Sequence, residues 1–362
     1  MPTTNAESYE YQERKRCIAK MDKILENLPE YCSRFLYHQL NGAKKLQPRT
    51  TLAYAGDLNL FFYFLAIANP ACKDIPAKDV SADILAKLSV DDIEEYYEWL
   101  ADYERDGKTY TNGAAAQKRK IASVSAMYRY LMQKHYLEVN PCALMDFTRL
   151  SYKPIIALTD NQQTKFLNAL GTPINDKSEK IKEKYTALRD IAIAYTFLGT
   201  GMRVSELVAI NMEDLDMDDR YFIITRKGGK IQQIYFGKEV SDALQAYLTE
   251  SRPKILPDQD SLDATALFLS LQHRRISVRQ VENIIKDTAR IALPPSEAEH
   301  ISCHKLRSTF GTRLLAGSDS IALVAEVLGH TDISTTKKRY SAVQNIAHAP
   351  DFVDVMPKKE EK

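Results

Sequence analysis

Ser302-Cys303-His304-Lys305-Leu306-Arg307-Ser308-Thr309-Phe310 reads as the opening of a two-faced helix. Ser302 suits the N-cap, where a hydroxyl accepts a first-turn N–H. Leu306, Phe310 and Leu314 share a core face, while His304, Arg307 and Gly311 share another. A histidine and an arginine side by side at a helix start favour an anion, through charge and through unpaired N–H groups. A metal site on His300 and His304 is the weaker reading. The chain between them looks non-helical, and no carboxylate sits at ligand spacing.

Three more clusters surround this one. In Gly199-Thr200-Gly201-Met202-Arg203-Val204-Ser205-Glu206-Leu207 the glycines end one helix and allow a tight reversal into the next. Arg203 and Glu206 then share a face, with Val204, Leu207 and Val208 buried. In Arg226-Lys227-Gly228-Gly229-Lys230 a Gly-Gly turn joins strands 221–226 and 231–236. It is not a phosphate-binding P-loop, because the upstream glycine is missing and a strand follows. In Leu328-Gly329-His330-Thr331-Asp332, Gly329 caps one helix and Thr331 or Asp332 starts another, which carries Tyr340 near its end. Taken singly, each cluster has an ordinary structural explanation: a solvated arginine, lysines that block edge pairing, a tyrosine on a core rim.

Residues 1–20 are polar and read as a flexible N-terminus. Residues 21–148 read as a helical domain of four or five helices without a strand. Pro29 interrupts the first apolar pattern, Thr50 or Thr51 starts a helix ending near Ala68, Ser89 starts one ending near Tyr103, and Asn112 to Tyr136 forms another. Residues 149–157 form a linker, 158–345 a second domain and 346–362 a tail. In that second domain, Leu158-Thr159-Asp160 is a capped helix start. Further helices are expected over about 185–198, 239–251, 277–291, 303–315, 319–328 and 333–340. The fold class is mainly α with a small antiparallel sheet, α+β.

The chain has 362 residues, 44% of them hydrophobic and 27% charged, which suits two soluble domains and excludes fibrous or wholly disordered classes. Leu60 to Ala68 is its longest apolar run, about half of a membrane span. The charged N-terminus has no apolar core behind it and is not a secretory signal. Five scattered cysteines without a CxxC fit a reduced, cytoplasmic protein. Lys plus Arg total 49 and Asp plus Glu 48, a net charge of +1, so any phosphate-binding function needs its positive charge gathered on one face.

The clusters gain force from their order: Arg, Lys, His-x-x-Arg, Gly-His, Tyr. The segments GTGMRVSEL, RKGGK, HKLRSTFGTRLL and LGHTDISTTKKRY resemble the tyrosine recombinase (phage integrase) family, with a Xer-like organisation. The resemblance spans the second domain, and the first domain is similar to the family's core-binding domain. Ser308 departs from the pattern, since many members carry another histidine there. His330 and Tyr340 are separated by nine residues, at the long end for the family.

The resemblance implies a C-shaped clamp on DNA and a site-specific enzyme. Tyr340 would attack a phosphodiester, form a 3′-phosphotyrosyl link and free a 5′-hydroxyl; strand exchange would pass through a Holliday junction. Arg203 and Arg307 would clamp the non-bridging oxygens. Lys227 would protonate the leaving oxygen, with Lys230 as the alternative. His304 would accept the tyrosine proton or hold a phosphate oxygen, His330 would be a second phosphate donor, and Glu206 would orient Arg203 or His304. No metal, ATP or other cofactor is implied. The partners implied are a double-stranded recombination site and a homotetramer on paired sites, or an assembly with a related recombinase, with no membrane. The tail after Tyr340 either docks on a neighbouring protomer or is disordered. DNA contacts are expected from Lys44, Lys45 and Arg49, from Lys118, Arg119 and Lys120, and from Arg274, Arg275 and Arg279. The competing readings are a type IB topoisomerase, a non-catalytic DNA-binding protein, and a metal-dependent nuclease, which would need clustered carboxylates. The biological role stays open between dimer resolution and mobile-element integration.

Overall fold

A computed structural model describes residues 9–43, 45–147, 157–173, 185–226, 229–256 and 263–329. The chain divides into two compact units, Met1–Tyr152 and Lys153–Lys362, and the division falls inside the 149–157 segment.

The first unit is built around α3 (Pro48–Ala68), which buries Ala55, Leu58, Phe61, Phe62, Phe64 and Leu65. Pro48 occupies the first helical position, where its missing N–H is not needed, so the helix begins before Thr50. Thr51 lies inside it, its hydroxyl donating to the Gln47 carbonyl at 3.3 Å. By length and composition alone α3 could cross a membrane, but it is the central core helix of its unit. α1 (Tyr9–Leu25) starts at Tyr9 rather than Met21. Among its described side chains Cys17 and Met21, one turn apart, are buried, Ile24 and Leu25 pack partly against the core, and an Arg49–Glu13 pair of 2.6 Å ties it to α3. So narrow an apolar stripe hides in a polar sequence. α2 (Glu30–Asn41) follows Pro29 and buries Cys32, Phe35, Leu36 and Leu40. A short α4 (Ala82–Leu85) leads to α5 (Val90–Trp99). Ser89 and Asp92 close a reciprocal capping box at the start of α5.

Here the expectation of an all-helical unit is corrected. α5 stops at Trp99, and β1 (Asp102–Arg105) pairs antiparallel with β2 (Lys108–Thr111). Asp106 and Gly107 both have positive φ, 52° and 70°, the geometry of a two-residue hairpin turn whose twist matches the strands. Tyr103 and Tyr110 face each other across the hairpin at 5.2 Å, and Trp99 stacks on Tyr103 at 4.4 Å. That aromatic ladder outweighs helical continuation. α6 (Ala114–Gln133) returns the chain to the core.

In the second unit, α7 (Asp160–Asn168) has a Thr159–Gln162 capping box. The buried helix α8 (Ala187–Thr200) packs on α10 (Lys238–Ala246) and α14 (Cys303–Ser318). After α9 (Val204–Ala209) comes a three-stranded antiparallel sheet in the order β3 (Leu215–Asp216), β4 (Tyr221–Thr225), β5 (Ile231–Tyr235). This is one short strand more than expected. Phe222 pairs with Ile234 and Ile224 with Gln232, which turns Phe222, Ile224 and Ile234 inward. A π-helical turn at Tyr247–Ser251 breaks the helix expected over 239–251 and leads to α11 (Arg252–Ile255). α12 (Val278–Ala292), α13 (Pro295–Ala298) and α15 (Ile321–Leu328) complete the described unit. The helix expected over 333–340 lies outside the described residues.

Candidate active site

The end of α8, the start of α9, the base of the β4–β5 hairpin and the end of α15 meet beside α14. Gly201 closes α8 at φ 60°, and a Cβ there would lie 2.3 Å from the Phe310 ring and 2.9 Å from Leu328. Only glycine supplies both that backbone conformation and that approach. The turn delivers Arg203 to the N-cap of α9. The Arg203 backbone N–H donates to Glu206 Oε2 at 2.7 Å, its Nη1 donates to Glu206 Oε1 at 2.7 Å, and its Nη2 donates to the Gly329 carbonyl at 3.2 Å. The Arg203 side chain is 35% exposed and that of Glu206 only 5%. Glu206 is thus bonded to both the backbone and the side chain of Arg203.

Arg307 projects from α14, whose start is capped by Ser302 accepting from the Lys305 N–H at 3.2 Å. The Arg307 guanidinium is buried and donates to the Gly201 carbonyl at 2.5 Å and to the Leu328 carbonyl. A third arginine completes the group. Arg226 is buried and donates to Glu206 Oε2 at 2.9 Å, to the Val327 carbonyl at 2.6 Å and to Gln232 Oε1 at 3.1 Å. Burial pulls its guanidinium below the ordinary arginine range, and the Glu206 carboxylate opposes that. Three successive carbonyls at the end of α15, Val327, Leu328 and Gly329, thus each accept from a different arginine. A helix leaves its last carbonyls without intrahelical donors, and cations there complement its dipole. Among the described residues these three guanidiniums share one carboxylate, Glu206, so the described cluster carries excess positive charge. Its chemistry is that of an anion site in which Arg203 is half-buried and Arg226 and Arg307 are buried.

His304 lies one turn before Arg307 on α14 and is exposed. Lys230 is exposed, and its carbonyl accepts from the Arg226 N–H at 2.7 Å. Lys227, His330, Tyr340 and Lys44 lie outside the described residues, as does the tail 346–362. Arg226 was missed in the sequence. Its signal is the alternation Phe222, Ile224, Arg226, which places it on the inward face of β4.

The basic patches divide. Arg49 pairs with Glu13, and Arg119 grips Asp57 with two bonds of 2.5 and 2.8 Å. Arg275 donates to the carbonyls of Val208 and Ile210 and to Asn211 Oδ1. The ammonium of Lys118 sits 5.0 Å from the Phe147 ring, and burial lowers the Lys120 pKa. Lys45, Arg274 and Arg279 are exposed. Among the described residues, no group of three or more His, Cys, Asp or Glu side chains is placed to hold a metal ion.

The family model described as "Phage integrase family" matches residues 158–346, just over half of the chain. The chain belongs to this family. It is a site-specific tyrosine recombinase, which cuts and rejoins DNA through a phosphotyrosine intermediate. Tyrosine recombinase XerC of Caldanaerobacter subterraneus subsp. tengcongensis is 32% identical over 326 residues, 88% of this chain and 82% of that protein. Tyrosine recombinase XerC of Thermodesulfovibrio yellowstonii is 28% identical over 313 residues, 86% of this chain and 92% of that protein. Among solved structures, XerH bound to palindromic difH substrate in a post-cleavage complex is 16% identical, with a TM-score of 0.61 over 94% of this chain and 88% of that one. A lambda integrase (75–356) dimer bound to a COC′ core site is 16% identical, with a TM-score of 0.59 over 87% and 94%. This recombinase thus shares their mainly helical fold with its small antiparallel sheet.

Proposed function

We propose that this tyrosine recombinase exchanges strands at a specific double-stranded DNA site, with Tyr340 as nucleophile. The observation that carries the reading is the cluster of Arg203, Arg226 and Arg307 around Glu206 at the end of α15. The Tyr340 oxygen attacks phosphorus, the bond to the 5′-oxygen breaks, and a 3′-phosphotyrosyl ester remains. The attack places negative charge on the non-bridging oxygens, and Arg203 and Arg307 stabilise it. Their carbonyl and carboxylate contacts preset both guanidinium planes, so little side-chain entropy is lost when phosphate arrives. The leaving 5′-oxygen takes its proton from Lys227, with Lys230 as the alternative source. His304 receives the tyrosine proton or holds a phosphate oxygen, and His330 donates a further bond to the phosphate. A 5′-hydroxyl from a second cut strand then attacks the phosphotyrosyl ester. Each step exchanges one phosphoester for another, so the strand is resealed without an external energy source.

DNA as partner is supported by the DNA-bound state of XerH and lambda integrase, whose fold this chain shares. Two sites must be brought together for exchange, and four protomers in a cytoplasmic complex fit that need. The curated relatives named XerC favour the Xer-type role, resolution of chromosome or plasmid dimers, over mobile-element integration. The test is a nicked suicide substrate run on a denaturing gel. The wild type forms a covalent adduct, and Tyr340→Phe forms none while still shifting the duplex on a native gel. An undiminished adduct would remove Tyr340 from the mechanism.

A further inference from the structure

The base of the β4–β5 hairpin carries a buried side chain that the reaction above does not use directly. Arg226 follows the last residue of β4 on its inward face. Its single planar guanidinium reaches three elements: Glu206 of α9 at 2.9 Å, Val327 of α15 at 2.6 Å and Gln232 of β5 at 3.1 Å. Its backbone closes the hairpin, donating to Lys230 O at 2.7 Å and accepting from Gly229 N at 3.0 Å. The site is shaped around it. Gly329 lies so close that a Cβ there would stand 2.9 Å from Arg226 Nε and 3.1 Å from Cδ and Cζ. A lysine could not replace it, because one ammonium does not present donors in three fixed in-plane directions.

The geometry points to Arg226 as a positioning residue: it pins the hairpin base to the arginine–glutamate cluster so that the next residue in the chain, Lys227, meets the leaving 5′-oxygen. This rests on the reading of the hairpin lysine as general acid. In the step concerned, the tyrosine oxygen–phosphorus bond forms and the phosphorus–5′-oxygen bond breaks. The 5′-oxygen keeps the electron pair and takes a proton from the ammonium, which becomes a neutral amine. Arg226 also touches Glu206, so a role exercised only through Arg203 is the alternative that the experiment must separate.

A substrate with sulfur in place of the bridging 5′-oxygen separates them, because a thiolate leaves without a proton. Single-turnover cleavage by the full chain is measured on the oxygen and sulfur substrates. Arg226→Gln should lose about 10- to 100-fold on oxygen, part of what a general acid supplies, and recover most of it on sulfur. Arg203→Lys, the reference for phosphate stabilisation, stays slow on both. Equal loss of Arg226→Gln on both substrates, or no loss on either, overturns the proposal. Lys227→Ala and Lys230→Ala report on the acid itself. Rescue of one of them identifies it, and an unrescued Arg226→Gln beside a rescued lysine variant overturns the positioning role alone. If neither lysine variant is rescued, the acid reading falls and the proposal with it. Should Arg226→Gln not fold, Gln232→Leu decides. It removes only the β5 contact, and a smaller loss rescued by sulfur supports the proposal, while an unrescued or absent loss overturns it.

Discussion

Replacing Gly201 by alanine perturbs the recombinase at the point where its turn, its core and its arginines meet. Two costs follow. Alanine at φ 60° enters the left-handed region, at about 1–2 kcal/mol. Its methyl would also stand 2.3 Å from Phe310 and 2.9 Å from Leu328, both in the buried cluster with Leu314, Leu315 and Val324. Forcing a methyl into a filled core costs about 1–3 kcal/mol more, for a total of roughly 2–5 kcal/mol. In a unit of this size each kcal/mol moves the melting midpoint by about 2–4 °C, so Gly201→Ala should melt roughly 5–20 °C lower. Urea denaturation gives the free energy directly. The ring contribution is isolated by Phe310→Leu, and the double variant should recover about 1–2 kcal/mol relative to additivity. The Gly201 carbonyl also accepts from Arg307, so strand cleavage should fall with stability. A Gly201→Ala protein within about 0.5 kcal/mol of wild type, or strict additivity with Phe310→Leu, would refute the reasoning.

Arg203→Lys should bind its DNA site within a few-fold of wild type yet cleave about 10²- to 10³-fold more slowly, because one point charge replaces an oriented fork; a single-turnover cleavage assay checks this. Arg279→Ala should reduce the slope of log binding constant against log salt by about one. Arg275→Ala should leave that slope unchanged and lower the unfolding midpoint, since its guanidinium holds Val208, Ile210 and Asn211. All five cysteines are free thiols and buried, and burial pushes Cys142 and Cys303 up to about 12. A disulfide reagent at pH 8 should therefore label the folded chain slowly and the urea-unfolded chain at once.

What the sequence showed most plainly was local. Ser89, Thr159 and Ser302 announce their helices because a cap acts within three residues. The helix around Arg307 and the strands around the Gly-Gly turn follow from apolar spacing. The 102–111 hairpin was harder. Its Asp106-Gly107 turn was visible, but strand or helix on either side was settled by Trp99, Tyr103 and Tyr110 stacking in space. Charge was the least legible property. Arg119 and Asp57 are 62 positions apart, and Arg275 and Val208 are 67 apart, so a basic residue written in the chain does not show the partner it already holds. The same holds within the active site. Arg203 and Arg307 were found by motif order, whereas Arg226 emerged only when Glu206, Val327 and Gln232 came together around it. The near-zero net charge is a balance of 49 basic and 48 acidic residues, and the cationic cluster at the end of α15 is a local excess rather than a global one.

The central claim, a phosphotyrosyl exchange run by Tyr340 over this arginine cluster, is tested most directly by mapping the trapped adduct. The full chain is reacted with a nicked recombination-site substrate, digested with protease and nuclease, and the DNA-linked peptide is sequenced by mass spectrometry. One adduct is expected, on Tyr340, joined to a 3′-phosphate and formed equally with EDTA present. An adduct on another residue, or one joined to a 5′-phosphate, would contradict the claim.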